Sequence, residues 1–142
     1  MNPLFVHILA LIYGIPFILV GIEHFREPQK FVDIVPKYMP FALFLVYLTG
    51  VIEIVGGLGI IYPETREITG RLMVLFLIAI YPANFNMWIN DIAIGGSKFG
   101  TNWHIMRAII QVLLISICIW IGRTSSKQYG STFEYLNQIK LR

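Results

Sequence analysis

Charge is scarce in this sequence. Only 13% of its 142 residues are Asp, Glu, Lys or Arg, and 56% are hydrophobic. A soluble domain carries roughly 25% charged residues. With a mean hydropathy of +0.69, the chain has too little charge to coat a water-facing surface, which excludes a soluble globule, a coiled coil, a disordered chain and a collagen. Cysteine is nearly absent: Cys118 stands alone, which excludes an internal disulfide, a CxxC redox pair and a cysteine-built zinc site. The histidines, His7, His24 and His104, lack any ligand spacing such as HExxH, so a metal site has no support. The net charge of +3 comes without a basic block, and a nucleic-acid role would need a basic stripe. No Lys or Arg precedes the first apolar run, so that run is expected to stay as a membrane helix rather than to be cleaved as a signal. No tandem repeat is visible.

Long apolar runs are what remains. Four segments, at about residues 4–22, 41–62, 72–90 and 105–122, read as membrane helices. At about 1.5 Å per residue each reaches across a hydrocarbon core of roughly 30 Å. They are apolar all round, as a lipid-facing helix must be, and a helical bundle satisfies every backbone group without water. The expected architecture is all-α, an integral membrane four-helix bundle over residues 1–123, followed by a polar tail at 124–142. In that tail Ser131, Thr132, Phe133 and Glu134 fit a capping box, which predicts a short surface helix.

The connections differ. Residues 63–70 (PETREITG) are short and polar and read as a simple reversal of the chain. Residues 24–40 are longer: Pro28 can open a short helix whose Phe31, Ile34 and Val35 share one face. That segment either lies in the headgroup zone or caps the bundle. Residues 91–104 contain Gly95, Gly96 and Gly100 and read as a mobile loop. An even number of spans puts both termini on one side, with Arg66, Arg71, Arg123, Lys127, Lys140 and Arg142. Arg26, Lys30, Lys37, Lys98 and Arg107 fall on the other. This small excess predicts cytoplasmic termini.

Polar residues at membrane depth carry the functional information. A charge at mid-bilayer costs about 2.5–3.5 kcal/mol on insertion scales and therefore turns inward. Glu53 sits near the middle of the second span among Thr49, Gly50, Gly56 and Gly57, small residues that admit a neighbouring helix. It reads as a cavity group or as a hydrogen-bonded packing residue. Arg107, Gln111, Leu114 and Cys118 share a stripe on the fourth span. Arg107 is either a snorkelling anchor or one half of an ion pair with Glu53, Glu23 or Asp91. Pro82 loosens the third span just before Asn84 and Asn86, and Asn84 shares a stripe with Met87, Trp88 and Asp91. On the first span His7, Ala10, Gly14 and Gly21 share a stripe. Glu23 and His24 resemble an acid–base pair, although adjacent helical residues diverge by about 100°. Glu23, His24 and Glu53 are the candidate catalytic residues. Cys118 reads as a small apolar filler.

These residues resemble the DoxX family of small membrane proteins. Residues 21–40, GIEHFREPQKFVDIVPKYMP, carry a G-x-x-H-F-x-x-P-x-x-F core and then prolines flanking a tyrosine. Residues 47–63, YLTGVIEIVGGLGIIYP, hold a glycine-flanked acid. Tyr81-Pro82-Ala83-Asn84 is similar to a Pro-Ala-Asn element, and Trp103, Arg107 and Gln111 resemble the tryptophan, arginine and glutamine of the last span. The resemblance touches all four spans in order. It implies a four-helix bundle with Glu23, His24, Glu53, Asn84, Arg107 and Gln111 near a shared polar interior. Members of that family are linked to quinone-dependent sulfur oxidation, to oxidative-stress complexes and to receptor assembly, which are different functional classes.

The functional expectation is an inner-membrane protein whose glycine-lined interior binds a lipophilic molecule such as a quinone or another lipid, with Glu53, Asn84, Arg107, Gln111 and His24 as ligand contacts. An apolar cavity with a few convergent polar groups suits such a ligand. The chain encodes no haem-attachment, iron–sulfur or dinucleotide motif, so a role in an oxidoreductase system needs an exchangeable quinone or another protein. The alternative is a non-enzymatic chaperone or assembly factor that packs on client membrane proteins, or on a second copy of the chain, through the small-residue faces. A transporter built by oligomerisation and a lipid isomerase using His24 and Glu53 complete the set.

Overall fold

A computed structural model describes residues 3–93, 97–98 and 100–129. Five α-helices follow one another: α1 Pro3–Arg26, α2 Pro28–Val32, α3 Ala42–Ile61, α4 Arg66–Ile89 and α5 Thr101–Tyr129, with a 3-10 turn at Pro63–Thr65 between α3 and α4. Four of them are long and apolar enough to cross a membrane, the shortest being α3 with 20 residues. The protein is an all-α, multi-pass membrane bundle in contact with lipid. Its outer surface is hydrocarbon-like: Ile12, Phe44, Val55, Leu75 and Val112 are each more than half exposed, the arrangement that lipid rather than water requires.

Helices α1, α4 and α5 overrun the apolar runs visible in the sequence. α4 begins at Arg66 instead of about residue 72, and α5 continues through 124–129, the first part of the polar tail. Hydropathy marks hydrocarbon depth, whereas backbone hydrogen bonding carries a helix on into the headgroup zone. The capping box at Ser131–Glu134, and Gly95 and Gly96 of the third loop, lie outside the described residues.

Glycine arranges the long helices as two close pairs. A Cβ on Gly14 would lie 2.6 Å from the Gly57 backbone oxygen, and one on Gly57 would lie 2.6 Å from that of Gly14. One turn pair further along, a Cβ on Gly21 would lie 2.7 Å from the Gly50 oxygen. Only hydrogen side chains allow α1 and α3 this approach. α4 and α5 meet in the same way at Gly70, where a Cβ would sit 3.0 Å from the Cys118 oxygen, and the Cys118 thiol donates to the Gly70 carbonyl at 3.3 Å. The two pairs join through Tyr13, Phe17, Ile60, Met73, Phe76, Leu77 and Ile121, all buried. These side chains fill the end of the bundle that holds both described chain ends, where Phe5 packs edge-on against Trp120 and Ser125 donates to the Pro63 carbonyl at 3.1 Å.

The 63–70 segment does more than reverse the chain. Arg66 is 1% exposed; its Nε donates to the Ile60 carbonyl at 2.7 Å and its Nη2 to the Ile61 carbonyl at 2.7 Å and to His7 Nδ1 at 2.9 Å. A guanidinium only donates, so His7 accepts through Nδ1 and its neutral ring carries the proton on Nε2. Arg66 therefore closes the last carbonyls of α3, which have no intrahelical partner, and ties them to α1. At the other end of the bundle α4 stops at Asn90 and Asp91. Asp91 takes a left-handed φ of 45°, and the Ile92 amide returns to the Met87 carbonyl at 3.1 Å, a Schellman closure with aspartate where glycine is usual.

Candidate functional site

Large side chains fill only the end of the bundle that bears the chain termini. Towards the opposite end the two glycine pairs diverge and enclose a cavity of about 730 Å³. Its walls are mostly aliphatic and aromatic, from Leu9 and Phe17 of α1, Val46 and Ile52 of α3, Phe76 and Ile80 of α4, and Leu114 and Ile117 of α5. The roof is the stretch after α1: Phe31, Ile34, Val35 and Met39 line the space, and the Ile34 carbonyl accepts from Asn86 Nδ2 at 3.0 Å. Of the two roles open to this segment, it therefore caps the bundle. Pro16 of α1 and Pro82 of α4 both interrupt amide donation within helices that border the cavity.

Polar groups converge on this space from every long helix. His24 is stacked on Phe31 with ring centroids 3.7 Å apart. Its Nδ1 lies 2.9 Å from the Val20 carbonyl and 3.4 Å from Glu53 Oε2. A carbonyl can only accept, so Nδ1 carries a proton and Nε2 of the neutral ring holds the lone pair. Glu53 Oε2 has no hydrogen bond of good geometry, and the His24 contact is its one basic neighbour among the described residues. Across the cavity Arg107 Nη2 donates to Asn84 Oδ1 at 2.6 Å and Nη1 to the Met87 sulfur at 3.2 Å. Gln111 Nε2 donates to the Leu77 carbonyl at 2.6 Å, and the Tyr13 hydroxyl to the Leu114 carbonyl at 3.0 Å. Apart from the His24–Val20 contact within α1, each of these bonds crosses between helices, so the side chains are held in place before any ligand arrives.

The cavity also reaches the outside of the bundle. α1 and α5 touch at Phe5–Trp120 and Tyr13–Leu114. Beyond that level Ile12, Pro16 and Val20 on α1 and Ile110 on α5 both line the cavity and lie exposed. Exposure at this depth is exposure to acyl chains. The result is a sideways mouth edged only by apolar groups.

His24, Glu53, Asn84, Arg107 and Gln111, each a candidate from the sequence, all line this one cavity. Glu23 does not. It sits on the outside of α1, 40% exposed, paired with Arg26 at 3.0 Å, because the step from residue 24 to 23 turns it by about 100° away from the interior. Arg107 meets no carboxylate: among the described residues Glu53 is taken by His24, Glu23 by Arg26 and Asp91 by Lys98 at 3.0 Å. Cys118 is buried below the cavity against α4. No three His, Cys, Asp or Glu side chains gather in a metal-binding cluster among the described residues.

Two participants escape the sequence reading. Tyr13 lines the cavity and bridges α1 to α5; the Ala10–Tyr13–Phe17–His24 stripe marks that face, one step around the helix from the His7–Ala10–Gly14–Gly21 stripe, whose glycines pack on α3. Arg66 reads in sequence as a loop charge and proves to be a buried helix closure.

A family described as a domain of unknown function (DUF8561) matches residues 13–122. The chain belongs to that family. The matched stretch contains every polar residue of the cavity. No curated protein and no solved structure matches the chain.

Proposed function

We propose that this protein binds a lipophilic molecule in the cavity between its two helix pairs, as a DoxX-like component of an oxidoreductase system in the inner membrane. The observation that carries this reading is a preorganised cavity of about 730 Å³, within the roughly 300–1,000 Å³ of small-ligand sites, apolar over most of its wall and open sideways to lipid. A quinone or a comparable lipid is the fitting occupant: its ring or chain contacts the aliphatic wall, and the hydroxyls of its reduced form donate to Glu53 and to Nε2 of His24. A quinone would also supply the redox group that the chain does not encode. The assembly-factor alternative drew on the small-residue faces of α3. Those faces are occupied within the chain, by α1 at Gly50 and Gly57 and by Met73 and Thr69 at Gly56 and Gly59, which leaves it the less supported reading.

Protein extracted in mild detergent and examined by mass spectrometry is expected to retain a lipophile. Glu53→Gln keeps the shape of the side chain, so the bundle should persist. Loss of a carboxyl hydrogen-bonding partner is worth about 0.5–1.5 kcal/mol, which predicts occupancy reduced by about two- to tenfold. Wild-type protein that carries no lipophile and takes up no added quinone would overturn the reading. The proposed orientation, with both termini in the cytoplasm, predicts that a reporter fused after Arg142 is active only in its cytoplasmic form and one inserted beside Lys98 only in its exported form.

A further inference from the structure

We propose that the occupant of this cavity is acidic: a single-chain or compact-ring carboxylate whose head group is held by Arg107. This rests on the lipophile-binding reading above and adds the chemical class of the ligand. The argument is one of unmatched charge. Arg107 faces the cavity with only the neutral Asn84 oxygen and the Met87 sulfur as partners among the described residues, and the Glu53 carboxyl stands against His24 at 3.4 Å rather than against the guanidinium. A guanidinium has five N–H donors, and these two contacts use one N–H on each terminal nitrogen. Three remain, and a carboxylate needs two parallel donors of the planar fork.

Position favours capture over solvation. Arg107 lies about two turns inside the start of α5, and its contacts draw the head group inward to α4 rather than outward to water, unlike a snorkelling side chain. Asn84 orients the fork from one side, and Gln111, one turn deeper on the same helix, is fixed on the Leu77 carbonyl. Below these groups the cavity wall is aliphatic and aromatic down to Tyr13 and Phe17, apart from Glu53 and Thr49 on the α3 side. A ligand therefore meets a cation at one end and hydrocarbon at the other. A single negative charge balances Arg107, whereas a phosphate monoester would bring a second charge into an apolar space. A cavity of about 730 Å³ suits one chain or a small ring system rather than a two-tailed lipid, and the apolar mouth between α1 and α5 admits the tail from the bilayer.

The test uses full-length, delipidated protein in detergent, with oleate, oleyl alcohol and oleoyl lysophosphatidate as probes and native mass spectrometry as the readout. These share one chain and differ in head group. Wild-type protein should bind oleate at least tenfold more tightly than oleyl alcohol, and more tightly than lysophosphatidate. Arg107→Gln should bring oleate down to the alcohol's level and leave the alcohol unchanged. Arg107→Lys, which keeps the charge but not the fork, should retain part of the preference, a pattern that a purely structural role for Arg107 would not produce. Equal binding of oleate and oleyl alcohol to the wild type, a stronger grip on lysophosphatidate than on oleate, or an acid preference that survives in Arg107→Gln would overturn the carboxylate assignment while the lipophile-binding reading stands. If no probe binds and no quinone binds, both fall. Should Arg107→Gln prove unstable, Asn84→Ala leaves the charge in place, and weaker oleate binding at constant alcohol binding is the expected result.

Discussion

Leucine at Gly57 is expected to separate α1 from α3 and to leave little folded protein in mild detergent. A Cβ at that position meets the Gly14 backbone oxygen at 2.6 Å and the Ile18 side chain at 2.7 Å. A backbone oxygen cannot rotate aside as a flexible side chain can. Overpacking costs about 1–3 kcal/mol even where the surroundings adapt, and here the obstruction lies between two rigid helices with a second close contact at Gly21 and Gly50. Alanine at Gly57 should give a smaller loss of the same sign, since the Cβ alone already intrudes. Gly100 provides the control: nothing lies within 4 Å of its Cβ position, so alanine there should cost only the small loss of a glycine N-cap, well below the effect of Gly57→Ala. The measurement is the midpoint of unfolding on titration with SDS in mixed micelles. An unaltered midpoint for Gly57→Leu would mean that α1 and α3 do not pack through these glycines.

The second large effect is expected at Arg66. Methionine there keeps the aliphatic stem but removes every donor from the Ile60 and Ile61 carbonyls and from His7 Nδ1. An acceptor left unsatisfied in a buried place costs about 1–3 kcal/mol; the contact to the Ile60 carbonyl is buried and those to the Ile61 carbonyl and His7 are partly buried. Arg66→Met should therefore lower the SDS midpoint strongly. Arg66→Lys should fall between it and the wild type, because an ammonium is a compact charge and cannot span three acceptors as the planar fork does. His7→Ala should be the mildest of the three: it removes one acceptor and leaves both carbonyls bonded. Equal midpoints for Arg66→Met and wild type would show that water or lipid headgroups close α3 as well as the arginine does.

The sequence by itself determined the solvent and the element inventory. Four runs long enough for hydrocarbon, with almost no charge among them, permit only helices, because lipid offers the backbone no hydrogen bonds. Pro28 marked the short helix after α1; of the apolar residues read onto one face of it, Phe31 lies on α2 while Ile34 and Val35 follow in the turn beyond Val32, and all three line the cavity. Five of the six polar candidates, His24, Glu53, Asn84, Arg107 and Gln111, were also legible, since burying a polar group at membrane depth is costly enough that it is placed inward. Partnership was not legible. Which carboxylate Arg107 meets depends on the rotation and relative depth of two helices, and that is set by packing elsewhere. Close glycine contacts draw α1 onto α3, while Gly70 draws α4 onto α5. Large side chains at one end hold the pairs together, and the other end is left open. Only that tertiary arrangement assigned Glu53 to His24, gave Arg107 to neutral Asn84, turned Glu23 outward and buried Arg66 at the end of α3. Local pattern decides which side chains avoid lipid. The contacts between helices decide what each one finds there.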